Sequence, residues 1–193
     1  MVLSMIALAG MMVGVIHPAA SIVREKERGT LEQLLVAPIS TFQLFLAKIA
    51  PTMIIGLLAV FPSLLIVRAF DVPMRGSLAL FLILTGFFLL SAVALGVLIA
   101  AYSRTLQQAL LLSFFGLFPV MFLSGTLTPV EAMPDVLQAL SRLSPLRYYM
   151  DIIIGVFLKG VGWRDLWDES LCLIAIAIPM LILSLGIFRR RLQ

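Results

Sequence analysis

The chain has 193 residues, of which 62% are hydrophobic and only 12% are charged, with a formal net charge of +4. Soluble domains carry about 25% charged residues, so membrane lipid must cover most of this surface. The arginines are scattered among apolar stretches without the stacked aromatic residues of a strand-binding groove, so we expect no nucleic-acid partner. A single cysteine, Cys172, excludes an intrachain disulfide, and a single histidine, His17, predicts no metal site.

Five apolar stretches have about the 20 residues that a helix needs to cross the hydrocarbon core of a membrane. They cover approximately residues 2–23, 42–67, 77–101, 109–127 and 170–188. The predicted fold is therefore an all-α membrane protein, a polytopic helical bundle in which residues 1–193 form one domain. A charged segment, residues 24–41, joins the first two spans, and a longer segment, residues 128–169, precedes the last.

The basic residues predict the orientation of the bundle. Segments 24–41 and 102–108 and the carboxyl tail, with Lys48 just inside the membrane, hold eight basic residues against six on the other side. The triple arginine at 189–191 is the strongest stop signal, so we expect this side to be cytoplasmic. Five spans then place the amino end outside, which suggests that an earlier span is missing from the chain or comes from another one.

The charged segment contains signals for a short helix at the cytoplasmic surface. Gly29 permits a sharp turn, Thr30 and Gln33 have capping-box spacing, and Pro38 ends the helix at the residue before it. Three leucines share one face at helical spacing: Leu31, Leu34 and Leu35. These features indicate an amphipathic helix that can pass a push from a soluble partner into the membrane domain. A solvated loop with one helical turn fits the same spacing.

Other residues mark the second and third spans. Ser40 and Gln43 have the spacing of a capping box at the start of the second span. Lys48, about one turn inside that span, is expected to extend its ammonium group back to the cytoplasmic surface. A row of small residues on the third span permits close helix packing, either within the chain or between two copies, at Ala92, Gly96 and Ala100.

The segment before the last span predicts two short helices. Residues 135–143 are too few to cross a membrane, and their apolar positions fall on one face at Val136, Leu140 and Leu143. Ser144 can cap a second helix that has Pro145 at its first position. Together they predict a re-entrant hairpin at the outer surface. It is either an interfacial anchor or, as the family resemblance of the next paragraph implies, a gate over an export path.

The charged segment, which reads REKERGTLEQLLVAPIS over residues 24–40, resembles the first cytoplasmic loop of ABC-2 type transporter permeases. Residues 122–151, 157–167 and 188–191 also resemble the corresponding parts of that family, in the same order, so the resemblance covers nearly the whole chain. These permeases usually have six spans, often with a sizeable external domain after the first. The present chain starts where the second span of the family would be.

The resemblance implies the permease subunit of an ATP-driven ABC exporter in a bacterial or archaeal cell membrane. A coupling helix in the first cytoplasmic loop would dock on a separate ABC ATP-binding subunit, and a second permease copy or a related permease would complete a dimer. ATP would bind to the partner, because this chain has no G-x-x-x-x-G-K-[ST] loop and needs no cofactor of its own. The implied ATPase-coupling residues are Arg24, Glu25, Glu27, Arg28, Gly29, Thr30, Glu32 and Pro38. The external gate candidates are Pro134, Pro145, Arg147 and Tyr148.

Two other functions are alternatives to the permease, a secondary transporter and an intramembrane enzyme. An ion-gradient-driven secondary transporter would need acidic residues deep in its spans, whereas the five predicted spans contain no Asp or Glu. Ser124 and Gly125 invite comparison with a rhomboid-type intramembrane serine protease. Phe122, however, stands where the G-x-S-G motif has its first glycine, and His17 is predicted near the opposite surface. The sequence does not identify the substrate.

Overall fold

The computed structural model describes residues 2–30, 40–70, 74–126 and 129–192, and all regular secondary structure within these ranges is helical. The α-helices are α1 (Val2–Glu27), α2 (Thr41–Leu58), α3 (Val60–Ala69), α4 (Leu78–Tyr102), α5 (Leu106–Leu123), α6 (Asp135–Ser141), α7 (Pro145–Ile154) and α8 (Trp167–Leu192). Five stretches are long and apolar enough to cross a membrane, namely α1, α2 with α3, α4, α5 and α8. The predicted all-α bundle of five spans is therefore confirmed.

Several helices extend beyond the apolar stretches that predicted them. α1 continues to Glu27, so residues 24–27 are helical rather than part of a loop. α5 begins at Leu106 and ends at Leu123, earlier at both ends than the predicted 109–127, and Thr105 caps its first turn. α8 begins at Trp167, before the predicted start at residue 170. Hydropathy locates the apolar part of a helix, whereas the helix itself continues until a cap or a turn ends it.

The second predicted span, residues 42–67, is two helices rather than one. Ser40 caps α2, and the reciprocal bonds with Gln43 confirm the predicted capping box. α2 ends at Leu58, and α3 begins at Val60 after a turn at Ala59. The break has a local cause, because Pro62 has no N–H group for the carbonyl oxygen four residues earlier and its ring displaces that carbonyl.

α4 lies in the middle of the bundle. It packs against α1, α2, α7 and α8. Half of its most apolar 18-residue stretch is buried, the largest share among the five candidate spans. It is also the candidate span without a proline. Each of the others has at least one, at Pro18 in α1, Pro51 in α2, Pro119 in α5 and Pro179 in α8.

The row of small residues on α4 packs against α1 within the chain. A Cβ atom on Gly14 of α1 would lie 2.6 Å from the Cβ of Ala92, and one on Gly96 would lie 2.3 Å from the carbonyl oxygen of Val15. Neither distance leaves room for a methyl group. The row was compatible with packing within the chain or between two copies, and the structure supports packing within the chain. Gly14, its partner on α1, was not predicted.

The bundle has two chemically different ends. At one end, here called the basic end, α1 and α4 finish, α2 and α5 begin, and Phe45 lies 5.7 Å from Phe188 of α8 between ring centroids. At the other end, here called the hairpin end, α6 and α7 lie beside the start of α4, and Phe81 meets Phe157 edge to face at 5.1 Å. The two candidate sites occupy these two ends.

Candidate functional site

An ion pair joins α1 to α2 at the basic end. The ammonium nitrogen of Lys48 lies 2.5 Å from Oε1 of Glu25, and the two side chains are 15% and 27% exposed, respectively. Lys48 was expected to extend to the surface, and the structure instead gives it a partly buried carboxylate partner. The second oxygen of Glu25, Oε2, is buried and has no hydrogen-bond partner among the residues that the structure describes.

Lys26, the next residue, reaches the end of α4. Its ammonium group donates a 2.5 Å hydrogen bond to the carbonyl oxygen of Ala100. Carbonyl groups in the last turn of a helix lack intrahelical partners, and a cation there also interacts favourably with the helix dipole. Lys26 was not among the predicted coupling residues, although it lies between two of them.

Glu27, the last residue of α1, reaches the start of α5. Its Oε1 accepts a 2.8 Å hydrogen bond from the backbone N–H of Leu106, the first residue of α5. The first N–H groups of a helix also lack intrahelical partners, and a carboxylate is the favoured charge there. The last turn of α1 is thus bonded to both helices that flank the short connection at residues 103–105.

We call Glu25, Lys26 and Glu27 the anchor triplet. Successive residues of an α-helix are turned by about 100°, so three consecutive side chains point in three directions, here towards α2, α4 and α5. The alternating acid–base–acid pattern is visible in the sequence. It becomes informative only once α1 is known to continue to Glu27, because a loop would not fix these directions.

The other predicted coupling residues surround the anchor triplet or lie outside the described ranges. Arg24 and Arg28 are exposed. Gly29 has a positive φ of 69°, so the predicted sharp turn is present. The hydroxyl of Thr30 donates to the carbonyl oxygen of Glu25 at 3.3 Å. Glu32 and Pro38, together with the predicted amphipathic helix and its leucine face, lie outside the residues that the structure describes.

An open groove of about 600 Å³ follows α1 towards the basic end. Its wall is apolar near the middle of the helix and polar near the end, as shown by Met12, Val13 and Ile16 on one side and His17, Arg24 and Arg28 on the other. His17 shares a 2.8 Å hydrogen bond with the hydroxyl of Thr52 on α2. Ser124, which was compared with a protease nucleophile, bonds to Thr126 beyond the far end of α5. His17 and Ser124 therefore do not form a catalytic pair.

At the hairpin end, gate candidates hold the corner between α6 and α7. Arg147 donates to the hydroxyl of Ser141, and the hydroxyl of Tyr148 donates to the carbonyl oxygen of Arg142 at 2.9 Å. Both acceptors lie at the end of α6, so two side chains of α7 bend back to brace the corner. Partial burial and, second, the nearby thiol of Cys172 raise the pKa of the Tyr148 phenol.

The two predicted prolines of the hairpin and its predicted cap lie at the starts of α6 and α7. Pro145 is buried at the first turn of α7, as predicted, and Pro134 directly precedes α6. Ser144 occupies the N-cap position but makes no side-chain bond to α7. Its hydroxyl instead donates to the carbonyl oxygen of Val120 on α5 at 3.4 Å. The predicted capping bond is therefore wrong, and the same hydroxyl joins the hairpin to α5.

α7 runs back into the bundle. The ring of Tyr149 stacks on Phe88 of α4 with 3.9 Å between centroids, and its hydroxyl shares a 2.9 Å hydrogen bond with Thr85. Phe88 lies ten residues into α4, about 15 Å from its start. In contrast, apolar side chains of α6 and of the corner after it are exposed, with Val136 at 71% and Leu143 at 70%. The hairpin thus combines a deeply inserted helix with one whose apolar face is free to meet lipid.

A π-helical turn at Gly155–Lys159 follows α7 and was not predicted. The carbonyl oxygen of Val156 accepts a 2.9 Å hydrogen bond from the N–H of Gly76, which lies just before α4. A Cβ atom on Gly76 would lie 2.8 Å from that same oxygen. The connection before α4 is therefore held against the hairpin through a position that only glycine fits without a shift of the neighbouring backbone.

The architecture defines an all-α, multi-pass membrane protein with a charged anchoring point at one end and a short helical hairpin, α6 and α7, at the other. A family model described as ABC-2 family transporter protein matches residues 1–185. The chain belongs to this family. The resemblance to this family is thus confirmed. The predicted location, as a multi-pass protein of the cell membrane, is confirmed too.

Individual relatives carry related descriptions. The "Probable multidrug ABC transporter permease YbhR" of Escherichia coli (strain K12) is 35% identical, over 99% of this chain and 51% of its own length. The "Inner membrane transport permease YhhJ" of the same strain is 29% identical, over 93% of this chain and 48% of its own. The "ABC transporter G family member 20" of Dictyostelium discoideum is 27% identical, over 86% and 23%, respectively. The chain spans about half the length of the bacterial relatives.

Proposed function

We propose that this chain is the membrane-spanning permease part of an ATP-driven exporter, with ATP hydrolysis on a separate ABC ATP-binding subunit. The observation that carries the proposal is the anchor triplet, Glu25 to Glu27, which joins the last turn of α1 to α2, α4 and α5. The rest of the charged segment, residues 28–40, follows directly. A force applied to residues 28–40 would therefore reach three helices at once instead of moving a single loop.

In this proposal the basic end faces the cytoplasm, and segment 24–41 docks on the ATPase. The exposed Arg24 and Arg28 and the turn at Gly29 present the segment to the partner, with Thr30, Glu32 and Pro38 as further coupling residues. The acidic residues of α1 support this reading over an ion-driven transporter. Both are engaged in bonds that hold helices together at the end of the bundle, and an ion-coupling site would lie deep inside a span.

The hairpin end would form the external gate. Arg147 and Tyr148 hold the α6–α7 corner in its bent shape, Pro145 starts the inserted helix and Pro134 starts the exposed one. A nucleotide-driven change would shift the bundle between two shapes with different exposure of an internal path. A second copy of this chain or a related permease would complete that path.

The test is purification of the tagged protein from gently solubilised native membranes, with identification of the proteins that accompany it. We expect a near-stoichiometric partner that carries a G-x-x-x-x-G-K-[ST] loop and hydrolyses ATP. Gly29→Pro should lose this partner, because proline cannot adopt the φ of 69° at that position. Gly29→Asn is the matched control, because asparagine tolerates this conformation and a Cβ atom there meets nothing within 4 Å.

One result would contradict the proposal, and a second would change only the assigned docking position. A stable protein that carries no ATPase would remove the permease reading. An unchanged amount of ATPase in Gly29→Pro would leave that reading intact and show that docking does not depend on this turn.

A further inference from the structure

We infer that Glu27 is a positioning residue. It links residues 28–40, here called the coupling segment, to the start of α5 within the chain instead of contacting the ATPase. The inference rests on the proposed function and changes the role of one residue in it. The sequence resemblance placed Glu27 among the docking residues. Glu27 is exposed, and Oε1 of its carboxylate accepts the 2.8 Å bond from Leu106 N–H.

Leu106 depends on Glu27 because the local capping groups of α5 serve other donors. The hydroxyl of Thr105 accepts from the N–H of Gln108 at 3.2 Å, and the side-chain oxygen of Gln108 accepts from the N–H of Arg104 at 2.9 Å. Neither side chain accepts from Leu106, so the Leu106 N–H is left to an acceptor from another helix. Glu27 provides that acceptor together with the negative charge that a helix N-terminus favours.

α5 is suited to carry a displacement from this bond to the other end of the bundle. Only 17% of its most apolar 18-residue stretch is buried, the smallest share among the five candidate spans, and it packs mainly on α1, the helix that carries Glu27. It covers 18 residues, about 27 Å at 1.5 Å per residue. Near its far end, the carbonyl oxygen of Val120 accepts from Ser144 at the corner of the hairpin.

These contacts form one continuous connection. It starts at the last residue of α1, passes through the N–H of Leu106, follows α5 and reaches the α6–α7 corner through Ser144. A pull on the coupling segment would move the start of α5 relative to α4, and the hairpin would follow. Loss of the Glu27 carboxylate would leave ATPase docking in place and uncouple the hairpin from nucleotide binding.

The experiment measures hydrogen exchange by mass spectrometry in the complex purified with its ATPase, with and without ATP and vanadate. The variants are Glu27→Ala, which removes the acceptor, and Glu27→Gln, which keeps an oxygen at the same place. Arg190→Ala is the matched control, because Arg190 is an exposed charged residue of α8 at the same end of the bundle and is not among the proposed coupling residues. Two peptides are compared, residues 104–110 at the start of α5 and residues 135–148 in the hairpin.

We expect Glu27→Ala to keep the ATPase at the same stoichiometry. Exchange in residues 104–110 should rise about fivefold, as for the loss of one helix cap, and the nucleotide-dependent change in residues 135–148 should disappear. Glu27→Gln should keep most of that change, and Arg190→Ala should keep all of it. A merely structural role would raise exchange at the start of α5 without affecting the response of the hairpin to nucleotide.

Three results would overturn the inference. The first is loss of the ATPase in Glu27→Ala with normal exchange in residues 104–110, which would make Glu27 a docking residue. The second is a normal nucleotide response of the hairpin in Glu27→Ala. The third is normal exchange at residues 104–110 in every variant. If the unchanged protein carries no ATPase, the proposed function fails instead, and exchange at residues 104–110 still decides whether Glu27 caps α5.

Discussion

Gly96 of α4 lies against Val15 of α1 so closely that a Cβ atom on Gly96 would be 2.3 Å from the Val15 carbonyl oxygen. We therefore expect Gly96→Ala to lower the free energy of unfolding by about 1–3 kcal/mol, the usual cost of overpacking. Gly86→Ala is the matched control on the same helix, since nothing lies within 4 Å of its Cβ and alanine favours a helix. Thermal unfolding in detergent measures both, and equal stability of the two variants would contradict the close approach.

The bond between Thr85 and Tyr149 predicts an asymmetric pair of variants. The Thr85 hydroxyl also bonds to the carbonyl oxygen of Phe81, at 2.7 Å, whereas the Tyr149 hydroxyl has Thr85 as its one described partner. Thr85→Val would leave the buried tyrosine hydroxyl unsatisfied and cost about 1–3 kcal/mol, while Tyr149→Phe would cost about 0.5–1.5 kcal/mol.

Unfolding of the two single variants and of the double variant gives the coupling energy of this bond. The double variant should be no less stable than Thr85→Val alone, because the stranded hydroxyl is gone. Strictly additive losses would show that the two side chains do not interact in solution.

The ion pair between Lys48 and Glu25 predicts a rescue. Lys48→Met removes the partner of a carboxylate that is only 27% exposed, and we expect a loss of about 1–3 kcal/mol after allowance for partial solvent screening. Adding Glu25→Gln removes the unpaired charge and should recover at least half of the loss. Thermal unfolding of the single and the double variant in detergent tests this, and a double variant as unstable as Lys48→Met would argue against the pair.

The proposed orientation predicts which residues can be labelled from outside the cell. In a Cys172→Ala background, Leu143→Cys at the hairpin end should react with a membrane-impermeant maleimide in intact cells. Arg104→Cys at the basic end should react only after permeabilisation. Both positions are exposed in the structure, so accessibility within the protein does not separate them. The reverse labelling pattern would invert the proposed topology.

The sequence was sufficient to predict the number of spans, the helical class and several caps. Apolar stretches of about 20 residues have few alternatives in a membrane, and the box formed by Ser40 and Gln43 depends only on residues three apart. The break at Ala59 was missed although its cause, Pro62, is visible, because hydropathy does not change across it. The π-helical turn was missed because Gly155 and Gly160 also suit an ordinary helix end.

The candidate site was predictable as a segment but not as a set of contacts. The family resemblance pointed to residues 24–40, yet the roles within it depend on where α1 ends. The sequence did not predict the bond of Lys26 to a carbonyl group 74 positions away, and it predicted Lys48 to reach the surface because its partner lies 23 positions away. The acceptor for Ser144 is likewise on another helix, so a rule based on neighbouring residues assigned it the wrong bond.

The distribution of prolines has a mechanical consequence. Each internal proline leaves one carbonyl group without its helical hydrogen bond, so α1, α2, α5 and α8 all contain a point where bending breaks no such bond. α4 has none and lies in the middle. When the bundle changes shape, the bending will therefore occur mainly in the surrounding helices, while α4 stays straight at the centre.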